Sequence, residues 1–197
     1  MKIPYEGYNP NWSNQFNEIK TDLITTLSDF NPVIEHFGST AIVGLSAKPI
    51  IDILVGISSL SELDLLIKPM LENHYIYYKA YNKYLPNRRL FLKLKNIKDC
   101  YLFQQTYDDE NFLPHKEINN YRLAHIHVWQ YNSPDWIRHI AFRDYLIQFS
   151  DIKQEYSELK KRLSLLNWKD GNEYNQAKND FIKIHEKKAI KWYNSKK

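Results

Sequence analysis

The chain of 197 residues has a single cysteine, Cys100, and no apolar stretch long enough to cross a bilayer. A lone cysteine excludes an internal disulfide and points to a reducing, intracellular compartment. A spanning helix needs about 20 consecutive apolar residues, so a helical membrane protein is excluded as well. The opening Met1-Lys2-Ile3-Pro4-Tyr5-Glu6 contains no apolar core of signal-peptide length. A soluble, cytoplasmic protein with no membrane partner is the expectation. There is no internal repeat, no low-complexity segment and no flexible linker, which predicts one domain over residues 1–197. An excess of one charge is also small: the net charge is +4, and much of it sits in Lys183, Lys187, Lys188, Lys191, Lys196 and Lys197. A solvated helix face and tail accounts for those lysines. Nucleic-acid binding would need a clustered basic patch, which the sequence does not display.

What is present is a hydrophobic fraction of 43%, enough for a sizeable core, and one block around which the rest is arranged: residues 35–57, EHFGSTAIVGLSAKPIIDILVGI. An apolar run at 33–37 ends in Gly38-Ser39-Thr40. A second run, 49–57, is almost without polar interruption, as a strand covered on both faces is. Its one charge is Asp52. A carboxylate inside such a run is costly unless it is paired, hydrogen-bonded or on a metal. The block therefore offers backbone N–H groups and hydroxyls at one strand end and a lone carboxylate on the next strand, a combination suited to phosphate and a divalent cation. A tight turn followed by a strand-end Asp facing solvent is the competing reading.

Along the chain, residues 11–28 place Trp12, Phe16, Ile19, Leu23 and Leu27 near helical spacing, with Asn11 or Ser13 as cap. Pro32 breaks that helix before the strand at 33–37. One or two helical turns over 40–45 lead to the strand at 49–57. Ser61-Glu62-Leu63-Asp64 predicts a helix start, with Asp in place of the capping-box Glu, and a helix to about residue 73. Residues 75–80 and 88–95 read as strands joined through Pro86-Asn87. The second alternates, Leu90, Leu92 and Leu94 on one face and Arg89, Phe91 and Lys93 on the other. Residues 100–107 fit strand or helix, 108–120 mostly loop, and 122–130 a strand. Ser133-Pro134-Asp135 supplies a cap, a first-turn proline and a first-turn acid for a helix to about 149. Helices follow over 151–166 and 173–192. The order predicts an α+β fold, a mixed β-sheet packed with helices, with a helical C-terminal part over about 133–197.

The segment EHFGSTAIVGLSAKPIIDILV resembles the signature of the GrpB family, usually placed in the nucleotidyltransferase superfamily. Shorter pieces resemble that family too: Tyr8-Asn9-Pro10-Asn11-Trp12, Arg88-Arg89-Leu90-Phe91, His125-Ile126-His127-Val128 and Phe142-Arg143-Asp144-Tyr145-Leu146. The resemblance implies a nucleotidyltransferase-like mixed sheet. As activity it implies metal-dependent transfer of a nucleotidyl group from a nucleoside triphosphate to an acceptor that it does not identify. The superfamily is marked by Gly-Gly or Gly-Ser after one strand and a pair of acids, one residue between them, on the next. Gly38-Ser39 and Asp52 match; Leu54 stands where the second acid would be. Family members are sometimes joined to dephospho-coenzyme A kinase, which would suit an accessory role in coenzyme A metabolism.

Several residues are candidates for the chemistry. Gly38, Ser39 and Thr40 form the candidate nucleotide-binding turn, because glycine allows close approach of the backbone and the following N–H and hydroxyl groups favour phosphate. Lys48 is either a partner of substrate charge or a surface lysine before a strand. Asp52 is the candidate catalytic and metal residue; in a nucleotidyltransferase it holds Mg2+, which neutralises the triphosphate and helps align the attacking hydroxyl. Leu54 cannot be a ligand. Glu35 supplies a second ligand if it faces the turn, and is a solvated strand residue if it does not. His125 and His127, two apart on a strand, point to one face. They either complete a metal site with Asp52, favouring Mn2+ or Zn2+ over Mg2+, or are half-buried and bonded to neighbours. His36 reads as structural. Arg89, facing away from Leu90 and Leu92, is preferred to Arg88 as a phosphate contact. Arg143 either binds a ligand or pairs with Asp144, and Cys100 reads as a buried thiol. Two functions stay open, a nucleotidyltransferase and a nucleotide-binding module whose catalysis has lapsed. The missing acid at Leu54 separates them. The sequence leaves the oligomeric state open.

Overall fold

The uninterrupted apolar run around Asp52 forms an interior strand. The computed structural model describes residues 2–169 and 171–196. Its strands are β1 (Val33–Phe37), β2 (Ile51–Ile57), β3 (Ile76–Tyr77), β4 (Arg89–Leu94) and β5 (Arg122–Gln130). They form one five-stranded mixed sheet in the order β1-β2-β5-β4-β3. β2 and β5 run parallel, and the other neighbours are antiparallel.

The two faces of this sheet differ. One carries Ile34, Ile53, Val55, Phe91, Ile126 and Val128 and is sealed by α1 (Asn11–Thr26) and α2 (Ile67–Glu72) through Trp12, Ile19, Leu23 and Met70. Ile53, Val55, Phe91, Ile126 and Val128 are 0% exposed. At about 25 cal/mol per Å² of apolar surface, this layer contributes most of the burial energy of the sheet. The opposite face carries Phe37, Asp52, Leu54, Leu90, Leu92, His125, His127 and Trp129. Apolar packing covers only part of it. Leu54 and Trp129 lie under Trp136 and Ile140 of α3 (Pro134–Gln148). Leu90 and Leu92 pack with Tyr78, Tyr107 and Ile118. Between those two clusters the polar residues Asp52, His125 and His127 look into a cavity. Gly56 is what admits Trp136 to the sheet, since a Cβ there would come within 2.9 Å of its ring.

The C-terminal helices frame the cavity. Ser133 caps α3 by accepting a hydrogen bond from the Trp136 amide at 3.3 Å, with Pro134 in the first turn. α4 (Ser150–Ser164), α5 (Gly171–Ala177) and α6 (Asn179–Asn194) follow. α6 packs on α3 through Ala141, Tyr145, Ala189 and Trp192. Tyr156 of α4 packs with Ile42, Leu45 and Leu146. Among the described residues no helix is long and apolar enough to cross a membrane.

The long, strongly patterned elements match their expected limits, and the short ones are broken up by tertiary bonds. Residues Ser39–Ala41 make one 3-10 turn rather than a longer helix. The segment expected as a helix over 61–73 divides into the 3-10 turn Leu60–Glu62 and α2. Its capping box joins Ser59 to Glu62, so Asp64 has no capping part. The strand expected over 75–80 is only Ile76–Tyr77, because the Ala80 amide turns aside to bond the Tyr107 carbonyl. Residues Ile97–Leu102 are 3-10, and Thr106 then makes an isolated bridge to Tyr77. The helix expected over 173–192 is interrupted at Lys178, whose amide bonds to the Asn175 carbonyl three residues back.

Candidate functional site

The parallel register of β2 and β5 sets Asp52 beside His125 and Leu54 beside His127. Side chains two apart on a strand share a face, so both imidazoles and the carboxylate project into the same cavity. One ligand atom from each of Asp52, His125 and His127 lies within 4.8 Å of the others. Asp52 Oδ1 and His125 Nδ1 are 3.2 Å apart. Ligands sharing a divalent ion, with bonds of about 2.0–2.1 Å, stand roughly 3 Å from each other. His127 Nδ1 is buried with no hydrogen-bond partner. Burial lowers the pKa of both His125 and His127, which keeps their nitrogens neutral and able to ligate. Burial alone would raise the pKa of Asp52, but the hydrogen bond to His125 and the surrounding positive charge hold it below the usual carboxylate range. The donor set thus fits a divalent cation.

Gly38 sits against this carboxylate with φ +70°, and a Cβ on it would lie 2.6 Å from Asp52 Oδ2. The turn after it sends its hydroxyls in opposite directions. Ser39 lines the cavity and accepts a hydrogen bond from Lys160 Nζ at 3.0 Å. Thr40, only 3% exposed, lies 3.0 Å from His36 Nε2 and donates to the Ile50 carbonyl. His36 in turn stacks on Phe16 of α1. Thr40 and His36 therefore fasten the turn from behind. With three residues, the 3-10 segment is not a helix with an N-terminal dipole to offer.

The cavity measures about 620 Å³. Among the described residues its charged lining is Lys48, Arg88, Arg122, Lys160 and Lys178 against a single carboxylate, Asp52. Among the described residues none of those five cations has a carboxylate within ion-pair distance. Burial pulls Lys48 and Lys178 down to about 8 and Lys160 to about 7. Lys160 is 3% exposed and donates to both Ser39 Oγ and the Ser46 carbonyl.

Of the residues singled out in the sequence, Gly38, Ser39, Lys48, Asp52, His125 and His127 are brought together. Glu35 and Arg89 are not. Glu35 is taken by Arg143, Nη1 to Oε2 at 2.7 Å, and Arg143 also pairs with Asp144. Arg89 lies on the far face of the sheet, clamped to Asp64 by Nη2 at 2.7 Å and Nε at 2.8 Å. Its more polar-looking face is the one covered by α1 and α2, and it is Arg88, one residue earlier, that reaches the cavity. Cys100 donates to the His74 carbonyl away from the cavity. Sequence reasoning missed Lys160, Lys178 and Arg122. Lys160 carried a signal: it follows Tyr156 by one turn on the buried stripe of α4 with Ile152, Leu159 and Leu163, where a lysine is out of place.

A family model described as "GrpB protein" matches residues 2–188. UPF0157 protein YqkA of Bacillus subtilis is 31% identical over 191 residues, spanning 97% of this chain and 48% of that protein. The chain thus covers about half the length of that relative. Glutamate-rich protein GrpB of Alkalihalophilus pseudofirmus is 33% identical over 177 residues, 89% of this chain and 88% of that one. The crystal structure of conserved protein GrpB from Enterococcus faecalis superposes with a TM-score of 0.75 at 31% identity, covering 96% of this chain and 99% of that one.

Proposed function

The chain belongs to the GrpB family, and we propose that it is a metal-dependent nucleotidyltransferase, moving a nucleotidyl group from a nucleoside triphosphate to an acceptor. The observation that carries the reading is the convergence of Asp52, His125 and His127 in a cavity whose other charged groups, among the described residues, are all positive. A triphosphate supplies the several negative charges that such a cavity lacks. Asp52, His125 and His127 would hold one divalent cation, and the nitrogen-rich donor set favours Mn2+ or Zn2+ over Mg2+. When bound, such an ion supplies Lewis-acid polarisation of a phosphoryl oxygen.

The other steps fall to the chain's own side chains. Lys48, Lys160 and Lys178 take phosphate oxygens; Lys160, which burial pulls down to about 7, is the one whose protonation a bound phosphate would favour most. Ser39, positioned by Lys160, offers a hydroxyl to the same oxygens. Gly38 keeps side-chain atoms clear of Asp52. α4, α5 and the loop before β5 form walls of the cavity through Lys160, Tyr174 and Asn119.

A second reading has its own observation: among the described residues lining the cavity, Asp52 is the sole carboxylate. Leu54 is 0% exposed beneath Trp129 and Trp136, and Glu35 is committed to Arg143. One carboxylate suits nucleotide binding without turnover, as in an accessory module, including one serving coenzyme A metabolism. Incubation with labelled triphosphates, a small-molecule extract as the source of acceptor, and Mn2+, Zn2+ or Mg2+ separates the two. Pyrophosphate release supports transfer. Saturable binding without release supports the module, and absence of both contradicts both.

A further inference from the structure

We propose that the cavity has a second subsite, formed by Tyr78 and Arg122, that binds an acceptor through an oxyanion group, a phosphate or a carboxylate. The inference rests on the nucleotidyl-transfer reading and names the class of co-substrate. Its starting point is two polar atoms for which the fold has no use. Tyr78 is 2% exposed and its Oη has no hydrogen-bond partner. Arg122 Nε is likewise buried without a partner. Leaving a buried donor unmade costs about 1–3 kcal/mol, so two in one cavity wall point to a ligand. Both residues line the cavity.

The sheet order puts Tyr78 across the cavity from the phosphate-binding side, with Arg122 on the central strand β5 between them. Ser39 and its partner Lys160 lie at the β1 edge; Asp52, His125 and His127 stand on the central strands; Tyr78 follows β3 at the opposite edge, its amide bonded to the Leu90 carbonyl. Neighbouring strands are about 4.8 Å apart. The metal-ligand cluster therefore lies between the two walls, where a group passing from one ligand to the other must travel. Arg122 is held at the border, Nη2 donating to Asn119 and Nη1 3.4 Å from His125 Nε2, with Nε left over. Tyr78 and Arg122 sense each other: the guanidinium offsets part of the pKa rise that burial imposes on the phenol. Tyr81 packs edge-on against Tyr78 at 5.9 Å, and the Arg88 guanidinium lies 6.0 Å from the Tyr81 ring. The wall thus combines two guanidinium groups and phenol hydroxyls with apolar ring surface. Guanidinium and phenol donors match an oxyanion, and the rings suit the body of a small organic acceptor.

The test is calorimetric titration of the metal-free, nucleotide-free protein with inorganic phosphate and, separately, with acetate. The expected result is binding of at least one probe, weakened 10-fold or more by Tyr78→Phe and by Arg122→Gln. Tyr78→Phe removes only an oxygen without a partner, so a merely structural role predicts an unchanged or raised melting temperature and unchanged binding. The preferred probe tells phosphate from carboxylate acceptors. The inference is overturned if the wild type binds neither probe, or if Tyr78→Phe and Arg122→Gln bind both probes as the wild type does. The nucleotidyl-transfer reading is judged apart from this, by binding of Mn2+ with triphosphate, since neither is present in the titration.

Discussion

Gly38 and Asp52 occupy one another's space: the Gly38 Cα faces the carboxylate so closely that a Cβ would stand 2.6 Å from Oδ2 and 3.0 Å from the Asp52 Cβ. The backbone at Gly38 is also in the left-handed region, φ +70°. Sterics and conformation therefore both demand glycine. Gly38→Ala is expected to destabilise the protein by about 1–3 kcal/mol and to displace the carboxylate. Thermal denaturation checks the first effect. A Mn2+ titration checks the second and should show weaker binding than in the wild type.

Arg89 is a clamp rather than a ligand contact. It is 8% exposed and holds Asp64 from the face of the sheet opposite the cavity. Arg89→Met should lower stability by about 1–3 kcal/mol, the worth of hydrogen bonds to a charged group, and leave triphosphate affinity unchanged. Chemical denaturation and a binding titration on the same preparation separate the two effects.

These two arginines show where sequence reading succeeds and where it stops. Strand alternation assigned Arg88 and Arg89 to opposite faces correctly, because the period of a strand is 2. It could not say which face would carry the cavity, since both faces of β4 are buried and the difference arises from where α1 and α3 dock. Asp52, His125 and His127 were legible for a related reason. Each interrupts an apolar strand pattern, and a parallel pairing of those strands brings them together. Glu35 was ambiguous until Arg143, 108 residues later, claimed it. Lys160 comes from α4 and Lys178 from the turn between α5 and α6, and the place of these elements over the cavity is set by packing on α3 and on the turn after β1, which no local pattern encodes. The two-residue β3 and the 3-10 turns escaped because long-range bonds, such as the Ala80 amide to the Tyr107 carbonyl, decide them.

Stability should rise with pH in two steps. Burial lowers His36 to about 4. Between that value and the ordinary histidine pKa of about 6.5 the unfolded chain binds the extra proton, so stability falls as pH drops from 6.5 toward 4. Lys160, at about 7, gives the second window together with Lys48 and Lys178 at about 8. From there up to about 10 the unfolded lysine stays charged while the buried one is neutral, so stability increases with pH. Melting temperatures measured from pH 4.5 to about 9.5 should climb through both intervals, and Lys160→Met should reduce the upper climb while leaving the part that Lys48 and Lys178 contribute.

The central claim is that Asp52, with His125 and His127, holds a divalent cation through which a triphosphate binds. Titration of ATP in the presence of Mn2+ into the wild type and into Asp52→Asn tests it most directly. The amide keeps the shape and one oxygen and removes the charge, a loss of about 1.5–3 kcal/mol, or roughly 10- to 100-fold in affinity. The account predicts that weakening with Mn2+ present, a much smaller difference without metal, and an intact fold by circular dichroism. Equal affinities for the two proteins, or no binding of ATP by the wild type with any divalent metal, would contradict it.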